Sequence, residues 1–265
     1  MARPDPPVVG IVALTPQGAA LGRRLHESMP GAELWLPEAF GPEYPEARAF
    51  RSLKDVFAGA FRNACPLICI MAAGIVVRHV APLLRGKDRD PAVVVMDEAG
   101  RFAISLLSGH LGGANDLARS LAALLGATPV ITTATDVQGL PALDALAARL
   151  GWGLENLPAV KDIHLALLKG QKVRLVDPGG CLGRELPGQE DYFQSQPESP
   201  ETLARPGPAV YVGCREYPWP PGWLRLRPRN LAAGVGCNKG TPAAEILALM
   251  TDVFARFRLS LRSLH

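Results

Sequence analysis

Phe102-Ala103-Ile104-Ser105-Leu106-Leu107-Ser108-Gly109-His110-Leu111-Gly112-Gly113-Ala114-Asn115-Asp116 reads as a strand, a glycine-rich turn and the opening of a helix. A glycine-rich turn at such a junction lets the backbone approach a ligand closely and points amide N–H groups at it. The dipole of the following helix favours a neutral or anionic oxygen there. Because the turn also carries an imidazole, a carboxamide and a carboxylate, it reads as a site and not as a simple connection.

The same alternation extends on both sides. Residues 8–14 form a continuous apolar run, as a strand covered on both faces requires. Thr15-Pro16-Gln17-Gly18 reads as a turn and residues 19–29 as a helix; residues 33–36 read as a short strand. A helix is expected over 46–63 from the spacing of Phe50, Leu53, Val56, Phe57, Ala60 and Phe61. A strand over 67–71, a helix from Gly74 to Leu84, and a hairpin pairing 92–96 with 101–107 follow. Beyond the turn come a helix to Leu125, a strand over 130–133 and a helix over 141–150. Strands separated by helices imply a largely parallel sheet covered on both faces.

After Trp152 the texture changes. Residues 156–169 read as a helix, 172–176 and 209–212 as strands, and 177–208, rich in Gly, Pro, Gln and Glu, as loops or an irregular insertion. Residues 217–223 form a stiff proline-rich segment. The run from Leu231 to Pro242 followed by a helix over 243–257 has the form of a further strand–loop–helix. The expected fold class is α/β: a three-layer α/β/α N-terminal domain over 1–151 with a mainly parallel sheet. A smaller α/β middle domain over 152–230 follows, then the shortened start of a C-terminal domain over 231–265.

Composition excludes several classes. With 265 residues, 48% of them apolar, the chain can build a substantial core. A net charge of +3 with only 6% aromatic residues lacks the basic face and stacking rings of nucleic-acid binders. Five scattered cysteines without a C-x-x-C pair fit reduced thiols and argue against structural zinc. The start Met1-Ala2-Arg3-Pro4-Asp5-Pro6-Pro7 lacks the ordered regions of a signal peptide, and no apolar run reaches membrane-spanning length. A cytoplasmic protein without a membrane or nucleic-acid partner is expected, and a homodimer is left open.

Four blocks in order resemble the cobalt-precorrin-5A hydrolase family (CbiG) of anaerobic cobalamin biosynthesis. They begin at Met71-Ala72-Ala73-Gly74-Ile75-Val76-Val77-Arg78 and at Asp90-Pro91-Ala92-Val93. The third runs from Ile104 through Ser108-Gly109-His110-Leu111-Gly112-Gly113-Ala114-Asn115, and the fourth is Pro129-Val130-Ile131-Thr132-Thr133-Ala134-Thr135-Asp136. The likeness covers residues 8–150 well and 156–229 loosely, and resumes at Gly234-Val235-Gly236-Cys237-Asn238-Lys239-Gly240-Thr241. In the family the C-terminal domain normally extends further. The resemblance implies hydrolysis of the δ-lactone of cobalt-precorrin-5A, with loss of acetaldehyde to give cobalt-precorrin-5B. It also implies a cobalt-containing tetrapyrrole edged with carboxylates as substrate. No cofactor and no protein-held metal are then required, because the cobalt arrives inside the substrate.

Against that chemistry His110 is the candidate acid/base, since imidazole titrates in the working range; the alternative is a histidine that only bonds a neighbouring turn. Asp116 would assist it, or it and Asn115 would merely cap and balance the helix. Ser108 would bind a substrate carboxylate or act as a cap; no G-x-S-x-G elbow makes it a nucleophile. Gly109, Gly112 and Gly113 would offer their amides, or simply make a tight turn. Arg78, on the helix that begins near Gly74, is placed to pair with a substrate carboxylate or to stay solvated, whereas His79 falls on the apolar arc. Lys87, Asp88, Arg89 and Asp90 read as a solvated loop. Thr132, Thr133, Thr135 and Asp136 lie where ligands gather at a parallel sheet's C-terminal edge, and Thr15 and Gln17 follow by the same reasoning. Lys239 could hold a carboxylate as a point charge, with Cys237 beside it as a small apolar residue. A non-catalytic corrinoid-binding or carrier module is the alternative function. A nucleotide or phosphate site is weaker still, since no Walker lysine follows the turn.

Overall fold

The computed structural model describes residues 8–86 and 89–265. Met1 to Pro7 and the loop residues Lys87 and Asp88 lie outside the described residues. The chain forms two compact units, Met1–Val137 and Gln138–His265.

In the first unit the strands are β1 (Gly10–Ala13), β2 (Glu33–Pro37), β3 (Arg48–Phe50), β4 (Leu67–Ile70), β5 (Val93–Met96), β6 (Phe102–Leu107) and β7 (Thr128–Val130). The helices are α1 (Pro16–Ser28), α2 (Leu53–Arg62), α3 (Ala73–Val80), α4 (Ala114–Leu125) and the short α5 (Ala134–Val137). The strands form one seven-stranded sheet in the order β3-β2-β1-β4-β5-β6-β7. Successive residues of a strand face opposite sides, and both sides are apolar here. Ile11, Ile68, Ile70, Val94 and Met96 pack with Leu21 and Leu25 of α1 and Leu121 of α4. Val12, Leu67, Cys69, Val93 and Val95 pack with Phe57 and Phe61 of α2 and Val76 and Val80 of α3. Burial on two faces at about 1.5–3 kcal/mol per large apolar side chain is why these strands read as unbroken apolar runs.

Strand direction has the larger consequence for function. β1 to β5 run parallel, but β5 and β6 are antiparallel, with Val93 opposite Leu107 and Met96 opposite Ala103. β7 then runs parallel to β6. The C-terminal ends of β6 and β7 therefore lie at the edge where β1, β4 and β5 begin.

Several local expectations change. Thr15 is no turn residue: its Oγ1 caps α1 by accepting the Gly18 N–H at 3.1 Å, and Pro16 opens the helix. The helix expected from residue 46 starts only at Leu53, where Ser52 caps it, because residues 48–50 add an edge strand to β2. The strand expected over 130–133 lies at 128–130.

The second unit holds α6 (Leu143–Leu150), β8 (Gly153–Glu155), α7 (Ala159–Leu168), β9 (Val173–Val176), α8 (Cys181–Glu185), β10 (Phe193–Ser195), α9 (Pro200–Leu203), β11 (Ala209–Val212), β12 (Trp223–Arg227) and α10 (Ala243–Arg256). Its five-stranded sheet has the order β10-β9-β11-β12-β8, with β8 antiparallel to β12 and the rest parallel. Leu143, Leu146 and Ala147 of α6 belong to this unit's core. The segment expected to be irregular contains α8, β10 and α9, and the proline-rich segment runs straight into β12. The strand expected near Leu231 is reduced to a single bridge to Leu264. Arg227 is fully buried, and its guanidinium donates to Glu155 at 2.9 Å, to Glu216 at 2.6 Å and to the carbonyls of Gly213 and Arg215. Glu155 also accepts from Ser260, which ties the last residues of the chain to β8.

Candidate functional site at the β6–β7 edge

The site is built where β6 gives way to α4. Ser108 takes a left-handed backbone, φ 57°, and the chain folds back so tightly that a Cβ on Gly112 would lie 2.4 Å from the Ser108 Cβ. A Cβ on Gly109 would lie 2.7 Å from Asn115 Oδ1, so glycine is what lets the turn close over that side chain. Gly113, φ 84°, then caps α4.

Asn115 is buried and forms the hub. Its Oδ1 accepts from Ser105 Oγ at 2.6 Å, and its Nδ2 donates to Asp136 Oδ2 at 2.9 Å, with a longer 3.4 Å contact to Thr133. The same Asp136 oxygen meets His110 Nε2 at 2.7 Å, and Thr135 Oγ1 lies 3.2 Å from that nitrogen. The other Asp136 oxygen takes Arg119 Nη2, while Arg119 Nη1 donates to Asp116 at 2.9 Å. The side chains of His110 and Asp136 are 15% and 13% exposed, so both are sheltered yet reachable. Burial pushes the Asp136 carboxyl towards its neutral form, but the hydrogen bonds from Arg119 and His110 outweigh it and hold the group below the usual carboxylate range. A carboxylate that grips one ring nitrogen orients the imidazole and stabilises the imidazolium formed when the ring takes a proton.

His110, Asn115, Thr133, Thr135 and Asp136 are thus brought together, with Ser108, Gly109, Gly112 and Gly113 forming the wall of the turn. Asp116 does not take the assisting place beside the histidine. Its side chain is 66% exposed and paired to Arg119, and the carboxylate that touches His110 belongs to Asp136. The amides expected to meet a ligand are partly spent within the turn: those of Gly113, Ala114 and Asn115 donate to the carbonyls of His110, Ser108 and Gly109. Ser108 Oγ is buried and finds no hydrogen-bond partner among the described residues. Thr132 is exposed.

Gly74 and Arg78 lie elsewhere. They follow β4, whose C-terminal edge is the opposite one, and Arg78 folds back to donate to the Gly74 carbonyl at 3.1 Å. Thr15, bonded to Glu98, and Gln17 share that far edge. The parallel-edge reasoning that grouped Thr15 and Gln17 with the residues after β7 fails at the β5–β6 reversal. His79 is packed, stacked on Phe57 at 5.3 Å with its Nδ1 at the Ile75 carbonyl. Lys239 and Cys237 are exposed residues of the second unit. Among the described residues no group of three or more His, Cys, Asp or Glu is arranged to hold a metal ion, and no helix is long and apolar enough to cross a membrane. A cleft of about 610 Å³ opens between β2–β3 and α2, beside Trp35 and Phe50, and none of the His110 cluster lines it.

Sequence reasoning missed Arg119 and Ser105. Arg119 stands three residues after Asp116 on α4, a spacing that announces only a helical ion pair; its second carboxylate comes from α5.

Fold and site define an α/β protein with a carboxylate-held histidine at a sheet edge. Residues 55–136 match the family described as cobalamin synthesis G N-terminal, and residues 141–228 match the cobalamin biosynthesis central region. A cobalt-precorrin-5A hydrolase of Priestia megaterium is 33% identical over 96% of this chain and 71% of its own length. One from Salmonella typhimurium is 38% identical over 92% of this chain and 70% of its own. A crystal structure of a putative cobalamin biosynthesis protein G homolog from Sulfolobus solfataricus aligns with 97% of this chain and 72% of its own, at 20% identity and a TM-score of 0.44. The chain belongs to the cobalt-precorrin-5A hydrolase family.

Proposed function

We propose that the chain hydrolyses the δ-lactone of cobalt-precorrin-5A, with His110 as acid/base and Asp136 as its orienting carboxylate. The observation that carries this reading is the 2.7 Å contact between His110 Nε2 and Asp136 Oδ2. With Nε2 at the carboxylate, the ring is held in a fixed orientation for proton transfer. A water giving its proton to the imidazole attacks the lactone carbonyl; the tetrahedral oxyanion collapses, the ring C–O bond breaks, and the imidazolium returns the proton to the leaving oxygen. The freed alcohol then loses acetaldehyde when its O–H proton is removed and the C–C electron pair passes to the macrocycle, giving cobalt-precorrin-5B. Cobalt enters as part of the substrate, and no resident cofactor is invoked. The cytoplasm is the proposed setting, supported by five free cysteines.

The test is incubation of the purified protein with the lactone substrate and measurement of acetaldehyde. Production that disappears in His110→Ala is the expected result. Tight macrocycle binding without any acetaldehyde would instead mark a carrier. Undiminished turnover in His110→Ala would remove the histidine from the mechanism.

A further inference from the structure

Arg119 has a place in the cluster that no part of the proposed reaction has yet used. Its guanidinium spans two carboxylates of opposite situation, the exposed Asp116 and the sheltered Asp136. Asp136 is fully engaged: Asn115 and His110 take one oxygen, Arg119 the other. The hydrogen bond from Arg119 is the foremost influence that holds Asp136 ionised against its burial. Asp136 and Thr135 from α5 are among the groups that face His110, with Asn115 from α4 bound to the same Asp136 oxygen. Arg119 and Asp116 from α4 form the next charges outward.

We infer that Arg119 is a positioning residue that sets the charge and orientation of Asp136 and thereby the basicity of His110. The inference rests on the proposed role of His110 but is separable from it. Two effects run in the same direction. A guanidinium on the far oxygen neutralises part of the carboxylate that would otherwise stabilise the imidazolium. It also repels the imidazolium directly. While Asp136 stays ionised, Arg119 therefore offsets part of the negative charge that faces the His110 ring. Asp116 pairs with the guanidinium from the solvent side.

Arg119→Gln removes the charge and keeps hydrogen-bonding capacity; Arg119→Lys keeps the charge and loses the fork. Titration of the His110 imidazole by nitrogen NMR in the wild type and both variants reads the effect without substrate. In Arg119→Gln the midpoint should rise by about half to one pH unit, and in Arg119→Lys it should stay near the wild-type value. The acid limb of kcat/KM against pH should move by the same amount in Arg119→Gln, so that activity on the acid side falls about three- to tenfold. A purely structural arginine would lower thermal stability or kcat in both variants and leave the midpoint in place. An unmoved midpoint in Arg119→Gln, or an equal shift in Arg119→Lys, overturns the inference. If the NMR midpoint moves while the rate profile does not, and His110→Ala still turns over, then the inference stands and the assignment of His110 as catalyst is what fails.

Discussion

Asp136→Asn is the change that bears hardest on the site. In the wild type one carboxylate oxygen receives His110 at 2.7 Å and Asn115 at 2.9 Å while the other receives Arg119. A carboxamide has one accepting end. If that end faces inward, its NH2 meets the Arg119 guanidinium, donor against donor; if it faces Arg119, the NH2 meets His110 and Asn115. Arg119 is 47% exposed and can recover water, so the loss concentrates on the two inward bonds. Hydrogen bonds to a charged partner contribute about 1.5–3 kcal/mol each, and with the amide recovering about half of one, the expected destabilisation is about 2–4.5 kcal/mol. For a unit of this size that is a fall of about 6–20 °C in Tm. Activity should fall further, by about 10²–10⁴-fold in kcat, because the ring loses both its fixed orientation and the charge that stabilises its protonated form. Acetaldehyde release under saturating substrate measures the second number and thermal unfolding the first. A variant within fivefold of wild-type kcat, with unchanged Tm, would show that Asp136 does not hold His110 in the working enzyme.

Three further outcomes follow from the same structure. Gly112→Ala should cost about 1–3 kcal/mol and disturb the turn, since its Cβ would lie 2.4 Å from the Ser108 Cβ and 2.8 Å from the Ser108 carbonyl oxygen; denaturant unfolding checks it. Arg227→Met should destabilise the second unit by about 3–5 kcal/mol, because Glu155 is left with a buried charge that its remaining partners compensate only in part. A Tm within 2 °C of wild type would refute that account. Asp136 and Glu155 both have carboxyl groups held below their ordinary range, so the stability they contribute is complete above that range and is lost as pH falls through their folded-state values. Unfolding free energy should therefore be level from neutrality down to about pH 5 and decline below about pH 4; Asp136→Asn should flatten part of that decline.

The chain's own periodicity carried much of the architecture. β1, β4 and β5 read correctly because burial on both faces leaves no room for polar residues in them, a property each strand carries alone. The turn from Ser108 to Gly113 stood out because close packing against Ser108 and Asn115 admits only glycine, and that demand is visible in the residues themselves. His110 stands out as the imidazole within that turn. β3 was not legible: it is a three-residue edge strand whose Phe50 also fits the helical spacing of α2, and only its hydrogen bonds to β2 decide between the two. Nor was the choice of Asp136 over Asp116, because adjacency in sequence favoured a carboxylate that the helix turns towards solvent. The partner that His110 meets comes from 26 residues further along, delivered by a strand paired in parallel with β6. Only tertiary structure could separate the turn from Gly74 and Arg78 as well. Local sequence determines what a segment is; the reversal of direction between β5 and β6 determines which end of the sheet it reaches, and strand direction is settled by pairing between segments rather than within them.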